Sequence, residues 1–297
     1  QGGQFTPVDF PVKTSLAQIG ELQQEYDIQT IYPASSLQQG FIYHHLNYPT
    51  DDAYIVQQRI DYQEQINPQL YQRAWQLVSL HFPALRAAFN WQGDEILQII
   101  TRGASINADN FNIKDISYLS QAQREIAIAE HIAADRQKCF DLTKPSLLRF
   151  TLFKKTSKLY TLVKSIHHCV GDGWSGPLLI KKAHQYYDAL VNGLDPVEEE
   201  ESTYLAAQRH YLQQKESVRA FWKSKTREIT QTNDLSAMLD RQGKLHNIVI
   251  ENPFECQLSI TGSAYSYLKR SAQRLGVTLN AVMQFAWHKL IQIYTQD

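Results

Sequence analysis

The sequence lacks an excess of charge of either sign. Its 29 lysines and arginines stand against 30 aspartates and glutamates, which gives a formal net charge of -1. Proteins dedicated to nucleic acids carry a basic excess on the chain or on one face, so this balance argues against a nucleic-acid partner. It gives equally little reason to expect a partner that is steered by long-range charge.

Cysteines are few, and long apolar runs are missing. The three cysteines are widely spaced and odd in number, which fits neither a disulfide framework nor a zinc site: Cys139, Cys169 and Cys256. This usage fits a reducing, cytoplasmic location and predicts no metal. No apolar run approaches the roughly 20 residues that span a bilayer, and the first residues do not read as a signal peptide. We therefore expect no membrane partner.

Both ends of the sequence have the character of an internal segment. The chain does not begin with Met, residues 1–13 have the polar, proline-containing composition of a linker, and the sequence stops abruptly after Gln296. We therefore expect the 297 residues to be a piece of a longer polypeptide.

The hydrophobic pattern changes repeatedly between strand and helix periods, which predicts a mixed α/β class. Hydrophobic residues make up 43% of the chain, enough to bury a substantial core. Strands are predicted near residues 54–62, 85–91, 96–101, 147–153, 159–166 and 247–260. Helices are predicted near residues 15–26, 37–46, 68–78, 120–138, 174–191, 203–214, 218–228, 263–275 and 279–294.

The most informative segment is HHCVGDGWS at residues 167–175. A predicted strand runs into His167 and His168, a glycine-containing loop follows, and a helix begins. Adjacent strand residues point to opposite faces, so only one of the two histidines can face a given cavity. A neutral histidine at a cleft suits general-base chemistry, because its reference pKa of about 6.5 is close to the operating pH.

This segment resembles the signature of the condensation domains of nonribosomal peptide synthetases, HHxxxDG and often HHxxxDGWS, at every fixed position. IYPASSLQQG at residues 31–40 is similar to the family's YPLSPLQxG segment. HFPALRAAF at residues 81–89 is similar to RHPxLRTxF, with His81 and Phe82 in place of the usual Arg and His.

Two further segments extend the resemblance over essentially the whole chain. Residues 277–287 are similar to the family's GVTxN…AW helix, and residues 6–11 are similar to the linker between a carrier protein and a condensation domain. The family's later signatures do not occur after Trp287.

The resemblance implies an α/β, two-lobed, chloramphenicol-acetyltransferase-like fold whose C-terminal lobe is incomplete in this chain. Residues 1–13 would be a linker from an upstream carrier protein. Residues 14–192 would form the N-terminal lobe, which carries HHxxxDG, and residues 193–297 would start the C-terminal lobe. The acidic run at residues 198–201 would be a solvated connection between the lobes.

The resemblance also implies the chemistry of peptide-bond formation. The donor and acceptor groups would arrive on the phosphopantetheine of upstream and downstream carrier proteins, beside an adenylation domain, and no cofactor would be bound directly. The acceptor amine would attack the donor thioester, and His168 would act on this amine as a general base or by positioning it. The other expected site residues are His167 and Asp172 in the catalytic motif, Gly173, Trp174 and Ser175 along the substrate tunnel, and Arg86 or Arg149 as a structural partner of Asp172.

A second histidine pair lies at His44 and His45. HHLNYPTDD at residues 44–52 resembles the HH[I/L]xxxxGD motif of dual epimerisation/condensation domains, with Asp51 where Gly is usual. This resemblance implies inversion of the donor α-carbon before condensation. The alternative is that both histidines form an exposed helix end in an ordinary condensation domain.

Three further hypotheses are disfavoured by the residues themselves. Cys169 follows His168 directly, so on an extended backbone it points away from the face that His168 uses, which argues against a Cys/His nucleophile. A catalytically silent recruitment platform usually has a damaged motif, and this one is intact. A stand-alone acyltransferase of the same superfamily does not need the linker-like residues 6–11.

Overall fold

The computed structural model describes residues 5–229 and 256–295. The chain divides between Gln213 and Gln214 into two compact units. The mixed α/β class predicted from the hydrophobic pattern is confirmed. The strands are β1 (Ile28–Pro33), β2 (Ile55–Tyr62), β3 (Ala87–Asn90), β4 (Leu97–Thr101), β5 (Phe111–Asp115), β6 (Leu148–Lys154) and β7 (Tyr160–His167). The helices are α1 (Leu16–Glu25), α2 (Ser36–Asn47), α3 (Pro68–His81), α4 (Gln121–Arg136), α5 (Ser175–Val191), α6 (Thr203–Thr226), α7 (Gly262–Arg274) and α8 (Leu279–Thr295).

The strands of the first unit form two sheets. One has the order β2-β7-β6-β5, in which only the β5–β6 pair is parallel, and the other has the antiparallel order β1-β4-β3. All eight residues of β7 are buried. Because successive side chains of a strand alternate, Leu162 and Ile166 pack into the main core while Val163 packs with Ile128 of α4.

Local sequence signals explain where several helices begin. Ser35 caps α2, and its hydroxyl and the side chain of Gln38 form a reciprocal capping box. Asn67 caps α3 and is followed by Pro68 at the first helical position. These signals are short in range, so the predicted starts of both helices agree with the structure to within a residue.

The structure differs from the predicted elements in five places. β1 and β5 were not predicted, the two helices predicted over residues 203–228 are the single helix α6, and Pro83–Arg86 is a 3-10 turn that precedes β3. β5 lacks the alternation of a half-buried strand, because only Phe111 among its five residues is buried. Of the strand predicted at 247–260, residues 247–255 lie outside the described residues, and residues 256–260 form no strand.

The acidic run at residues 198–201 is largely exposed, as expected of a solvated segment, but several of its residues are anchored. Glu198 pairs with Arg73 of α3, and Glu200 pairs with the buried Arg86. The backbone N–H of Glu201 donates to the carbonyl of His81, 2.7 Å away. Two ion pairs and one backbone hydrogen bond therefore attach this run to other parts of the first unit.

The described part of the second unit is helical. α7 ends at Arg274, and Gly276 adopts a φ of 67°, the left-handed conformation in which a glycine commonly terminates a helix. α8 follows after a short connection. Among the described residues of either unit, no helix is both long and apolar enough to cross a membrane.

Candidate active site

The histidine pair stands where β7 leaves the sheet. The backbone N–H of His167 donates to the carbonyl of Leu147, 3.0 Å away, and that of His168 donates to the carbonyl of Tyr54, 2.9 Å away. Val170 then turns the chain back by donating to the carbonyl of His167. Both histidines are thus fixed through their backbones to the residues that immediately precede β6 and β2.

The two imidazole rings have different surroundings. His168 is half-buried, and its ring lies 5.4 Å, between centroids, from that of Phe41 on α2. His167 is only 4% exposed, and its ring meets those of Phe140 and His45 edge to face. His168 is therefore the member of the pair that a substrate can reach.

His167 is held as a neutral imidazole. Its Nδ1 accepts the backbone N–H of Cys169 at 3.2 Å. Burial, followed by the positive charges that His45 and His168 can carry, lowers its pKa to about 4. At neutral pH the ring is uncharged, with one nitrogen engaged by the loop that follows.

Asp172 and Ser175 cap the helix that follows the loop. Oδ1 of Asp172 accepts the backbone N–H groups of Ser175 at 2.8 Å and of Trp174 at 3.1 Å. The N–H of Asp172 donates to the hydroxyl of Ser175 at 2.7 Å. The hydrogen bond from the Ser175 backbone is the main cause that lowers the pKa of Asp172.

The expected pairing of Asp172 with an arginine is wrong. Arg86 pairs with Glu200, and Arg149 pairs with Asp135 at 2.9 Å. Among the described residues, no cation forms an ion pair with Asp172. The reason is that each arginine has a nearer carboxylate, whereas the backbone N–H groups of its own loop satisfy the exposed Asp172.

The residues expected to line a tunnel lie at the surface of the first unit. Trp174 is 87% exposed, and the space beside Gly173 is open. Gly171 is different, because a Cβ at this position would lie 2.7 Å from Cδ1 of Ile166. A side chain at position 171 would thus crowd Ile166, whereas one at position 173 would meet no neighbouring atom.

The second histidine pair lies next to the first. His44 pairs with Asp51 at 3.3 Å, and His45 lies with its ring centroid 6.4 Å from that of His167. Burial is the main cause that lowers the pKa of His45. One small pocket is lined by His44, His45, Asp51, Tyr54, Ile55, Cys139, Phe140 and His167.

Gln38 is a site residue that the sequence did not single out. It is buried, and its side-chain amide donates to the carbonyl of Cys169 at 3.1 Å. It thereby joins the YPASSLQQG segment to the HHxxxDG loop. Its place in a Ser-x-x-Gln capping box is the local signal that could have drawn attention to it.

The model of the condensation domain family matches residues 28–297. This chain belongs to the condensation domain family. It is 33% identical over 270 residues to N-(5-amino-5-carboxypentanoyl)-L-cysteinyl-D-valine synthase of Amycolatopsis lactamdurans, covering 87% of this chain and 7% of that protein. It is 28% identical over 298 residues to bacitracin synthase 3 of Bacillus licheniformis, covering 98% and 4%. The chain therefore spans a small part of the synthetases that it matches.

Solved condensation domains have the same fold. The starter condensation domain of the rhizomide synthetase RzmA superposes with a TM-score of 0.57 at 23% identity, covering 66% of this chain and 50% of that chain. The first condensation domain of the CDA synthetase gives a TM-score of 0.50 at 17% identity, covering 57% and 42%. The chloramphenicol-acetyltransferase-like fold class expected from the motifs is therefore confirmed.

The condensation-domain motif contains a thiol that is poorly suited to nucleophilic chemistry. Cys169 is buried, and this burial raises the pKa of its thiol to about 12. Within the described residues, no group of three His, Cys, Asp or Glu side chains is arranged to hold a metal ion. His168, which is half-buried, is more accessible than either Cys169 or His167.

Proposed function

We propose that this condensation domain joins a donor acyl group to an acceptor amine, with both substrates carried as thioesters on the phosphopantetheine of carrier proteins. The observation that carries the proposal is the placement of His168: it directly follows a fully buried strand, is half-buried, and has the open space of Gly173 on the same loop. The synthetase names of the relatives support carrier proteins and an adenylation domain as partners.

The chemistry requires a free amine near the thioester. The amine nitrogen forms a bond to the thioester carbonyl carbon, the carbon–sulfur bond breaks, and the departing thiolate receives a proton. An α-ammonium group has a reference pKa near 7.7–8.0, so modest desolvation leaves enough free amine. His168 accepts the proton of the attacking amine or holds this amine in line with the carbonyl carbon.

His168 suits this role better than His167 does. The Nδ1 atom of His167 accepts a hydrogen bond from its own loop, and its ring is enclosed by Phe140 and His45. Among the described residues, the aromatic ring that packs on His168 is that of Phe41, and His168 is half-buried. We therefore assign the amine to His168 and a positioning role to His167.

The test is peptide formation between two loaded aminoacyl carrier proteins. We expect His168→Ala to abolish the amide product while the protein keeps its circular dichroism spectrum. His210→Ala is the matched control, because His210 is exposed on α6. Full product formation by a folded His168→Ala variant would overturn the assignment, and absence of product from the wild type would support a silent platform.

A second candidate function is epimerisation of the donor before condensation. The specific observation is that His45 and His167 border one pocket with 6.4 Å between their ring centroids. Inversion requires removal of the α-proton and its return, and two neighbouring imidazoles can perform the two transfers. Asp51 departs from the family's dual motif, and its carboxylate pairs with His44, not His45.

Chiral analysis of the product decides between the two candidates. When the donor is loaded as the L-amino acid, the dual activity gives a D-residue at the donor position, and His45→Ala then restores the L-residue. Incorporation of the L-donor unchanged by the wild type would remove the epimerisation candidate and leave condensation standing.

A further inference from the structure

Arg149 on β6 joins the end of α4 to the aromatic wall of the histidine pocket. Its Nε donates to Oδ1 of Asp135 at 2.9 Å, and its Nη2 donates to the carbonyl of Lys138 at 2.8 Å. Its guanidinium carbon lies 3.9 Å from the centre of the Phe140 ring. This geometry is a cation–π contact whose cation is fixed by other bonds.

Asp135 is itself held from the central strands. It is buried, and its Oδ2 accepts the hydroxyl of Ser165 on β7 and the side-chain amide of Gln57 on β2, the latter at 3.1 Å. Ser165 precedes His167 by two residues, so both side chains lie on the same face of β7. The ion pair with Arg149 therefore has a fixed position relative to His167.

Phe140 is the link between this ion pair and the histidines. Its buried ring receives Arg149 on its face and meets the ring of His167 at 6.1 Å and 79°. His45 occupies a second side of His167, again edge to face. His45 and His168 are the charges that shift the pKa of His167, and His44, Asp51 and Cys139 line the same pocket.

We propose that Arg149 and Phe140 are positioning residues for His167: the fixed guanidinium sets the plane of the Phe140 ring, and this ring keeps the imidazole dry and turned toward His45. Any effect of Arg149 and Phe140 on peptide formation rests on the proposed function, whereas their effect on the His167 ring does not. The competing account is that Arg149 and Asp135 form a structural ion pair with no effect on His167.

Two conservative variants separate these accounts. Arg149→Lys keeps a positive charge for Asp135 but loses the planar group that stacks on Phe140. Phe140→Leu keeps an apolar side chain but loses the aromatic face and edge. If the two residues position His167, both variants let water reach the ring and raise its pKa from about 4 toward that of an exposed histidine.

The experiment is an NMR titration of protein labelled with ¹³C-histidine, with the His167 resonance assigned by its loss in His167→Gln. We expect the pKa of His167 to rise by about one unit or more in Arg149→Lys and Phe140→Leu. Arg124→Lys is the matched control, because Arg124 donates to the carbonyls of Ile116 and Ser117 and takes no part in the Phe140 contact. It should leave the resonance unchanged.

An unchanged His167 pKa in both variants, with only a loss of unfolding free energy, would overturn the proposal and leave a structural ion pair. The titration needs no carrier protein, so a wild type that forms no peptide would refute the proposed function without affecting this result. In an active protein, we expect the same two variants to lower kcat more than they raise KM, because they alter the site and not substrate docking.

Discussion

Arg86 and Glu200 form an ion pair although 114 residues separate them in the sequence. Arg86 is 2% exposed, and it also donates to the carbonyl of Ser79 at 3.1 Å and to Gln29 at 2.7 Å. Glu200 in turn accepts the side-chain amide of Gln29 at 2.9 Å. The acidic run at residues 198–201 is thereby attached to a buried cation of the first unit.

We expect Arg86→Ala to lower the free energy of unfolding by about 3 kcal/mol or more, because removal of one partner from a buried network leaves the remaining polar groups unpaired. Glu200→Gln should lower it by about 1–3 kcal/mol, since the guanidinium keeps its neutral acceptors but loses the carboxylate. Urea unfolding followed by circular dichroism measures both changes.

The neighbouring Glu198→Gln variant is the matched control. Glu198 and its partner Arg73 have side chains that are 54% and 43% exposed, and exposed pairs contribute less than about 1 kcal/mol. Equal losses in Glu198→Gln and Glu200→Gln would contradict the view that the acidic run is attached through the buried Arg86.

Local patterns predicted the part of the fold that carries the catalytic motif. The strand before His167 and the helix after Trp174 were predictable, because one shows a continuous buried run and the other shows helical spacing. β5 was missed, because its exposed residues become a strand only through parallel pairing with β6. Such pairing depends on chain segments that are distant in sequence.

The partners of the charged residues were the least predictable part of the site. Arg86 and Arg149 were predicted as candidate partners of Asp172, but Arg86 pairs with Glu200 and Arg149 pairs with Asp135. Glu200 and Asp135 approach these arginines only through the folded chain, and no spacing rule connects them. A motif fixes which residues are present in a loop, and tertiary packing decides which charges meet.

Asp172 provides the next test, because its role as a helix cap replaces the expected ion pair. We expect Asp172→Ala to lower the free energy of unfolding by about 1 kcal/mol, the usual cost of losing a cap. Asp172→Asn keeps the oxygen that accepts from Ser175 and Trp174, so its loss should be smaller. Urea unfolding compares the two, and equal losses would instead indicate that the negative charge has an ionic partner.

The two glycines of the loop should respond differently to alanine. In Gly171→Ala the new methyl group overlaps the buried Ile166 side chain, so overpacking should cost about 1–3 kcal/mol of unfolding free energy. Gly173→Ala meets nothing within 4 Å and should unfold like the wild type. If Gly173 borders the substrate path, this stable variant will nevertheless form less peptide. Equal destabilisation by both substitutions would contradict the packing of Ile166 against Gly171.

Thiol alkylation should distinguish the cysteines of the native protein. Cys139 and Cys256 are exposed, whereas burial raises the pKa of the Cys169 thiol to about 12 and leaves almost no thiolate to react at pH 7.5. We expect iodoacetamide to modify the two exposed thiols and to spare Cys169, as measured by peptide mass spectrometry. We also expect Cys169→Ala to keep peptide formation. Alkylation of Cys169 at the rate of Cys256, together with loss of activity, would restore the nucleophile hypothesis.

His167 should make the stability of the fold depend on pH in a defined direction. Its pKa of about 4 lies below the 6.5 of an exposed histidine, so between these values the unfolded chain binds a proton that the folded chain excludes. Stability is therefore lost as the pH falls from 6.5 to 4, by about 3 kcal/mol from this group alone. His167→Gln removes this group. As the pH falls through this window, the wild type should therefore lose more unfolding free energy than the variant does, by a comparable amount. Urea unfolding at pH 7 and pH 4.5 measures this difference, and parallel pH curves for the two proteins would show that His167 is not held neutral by burial.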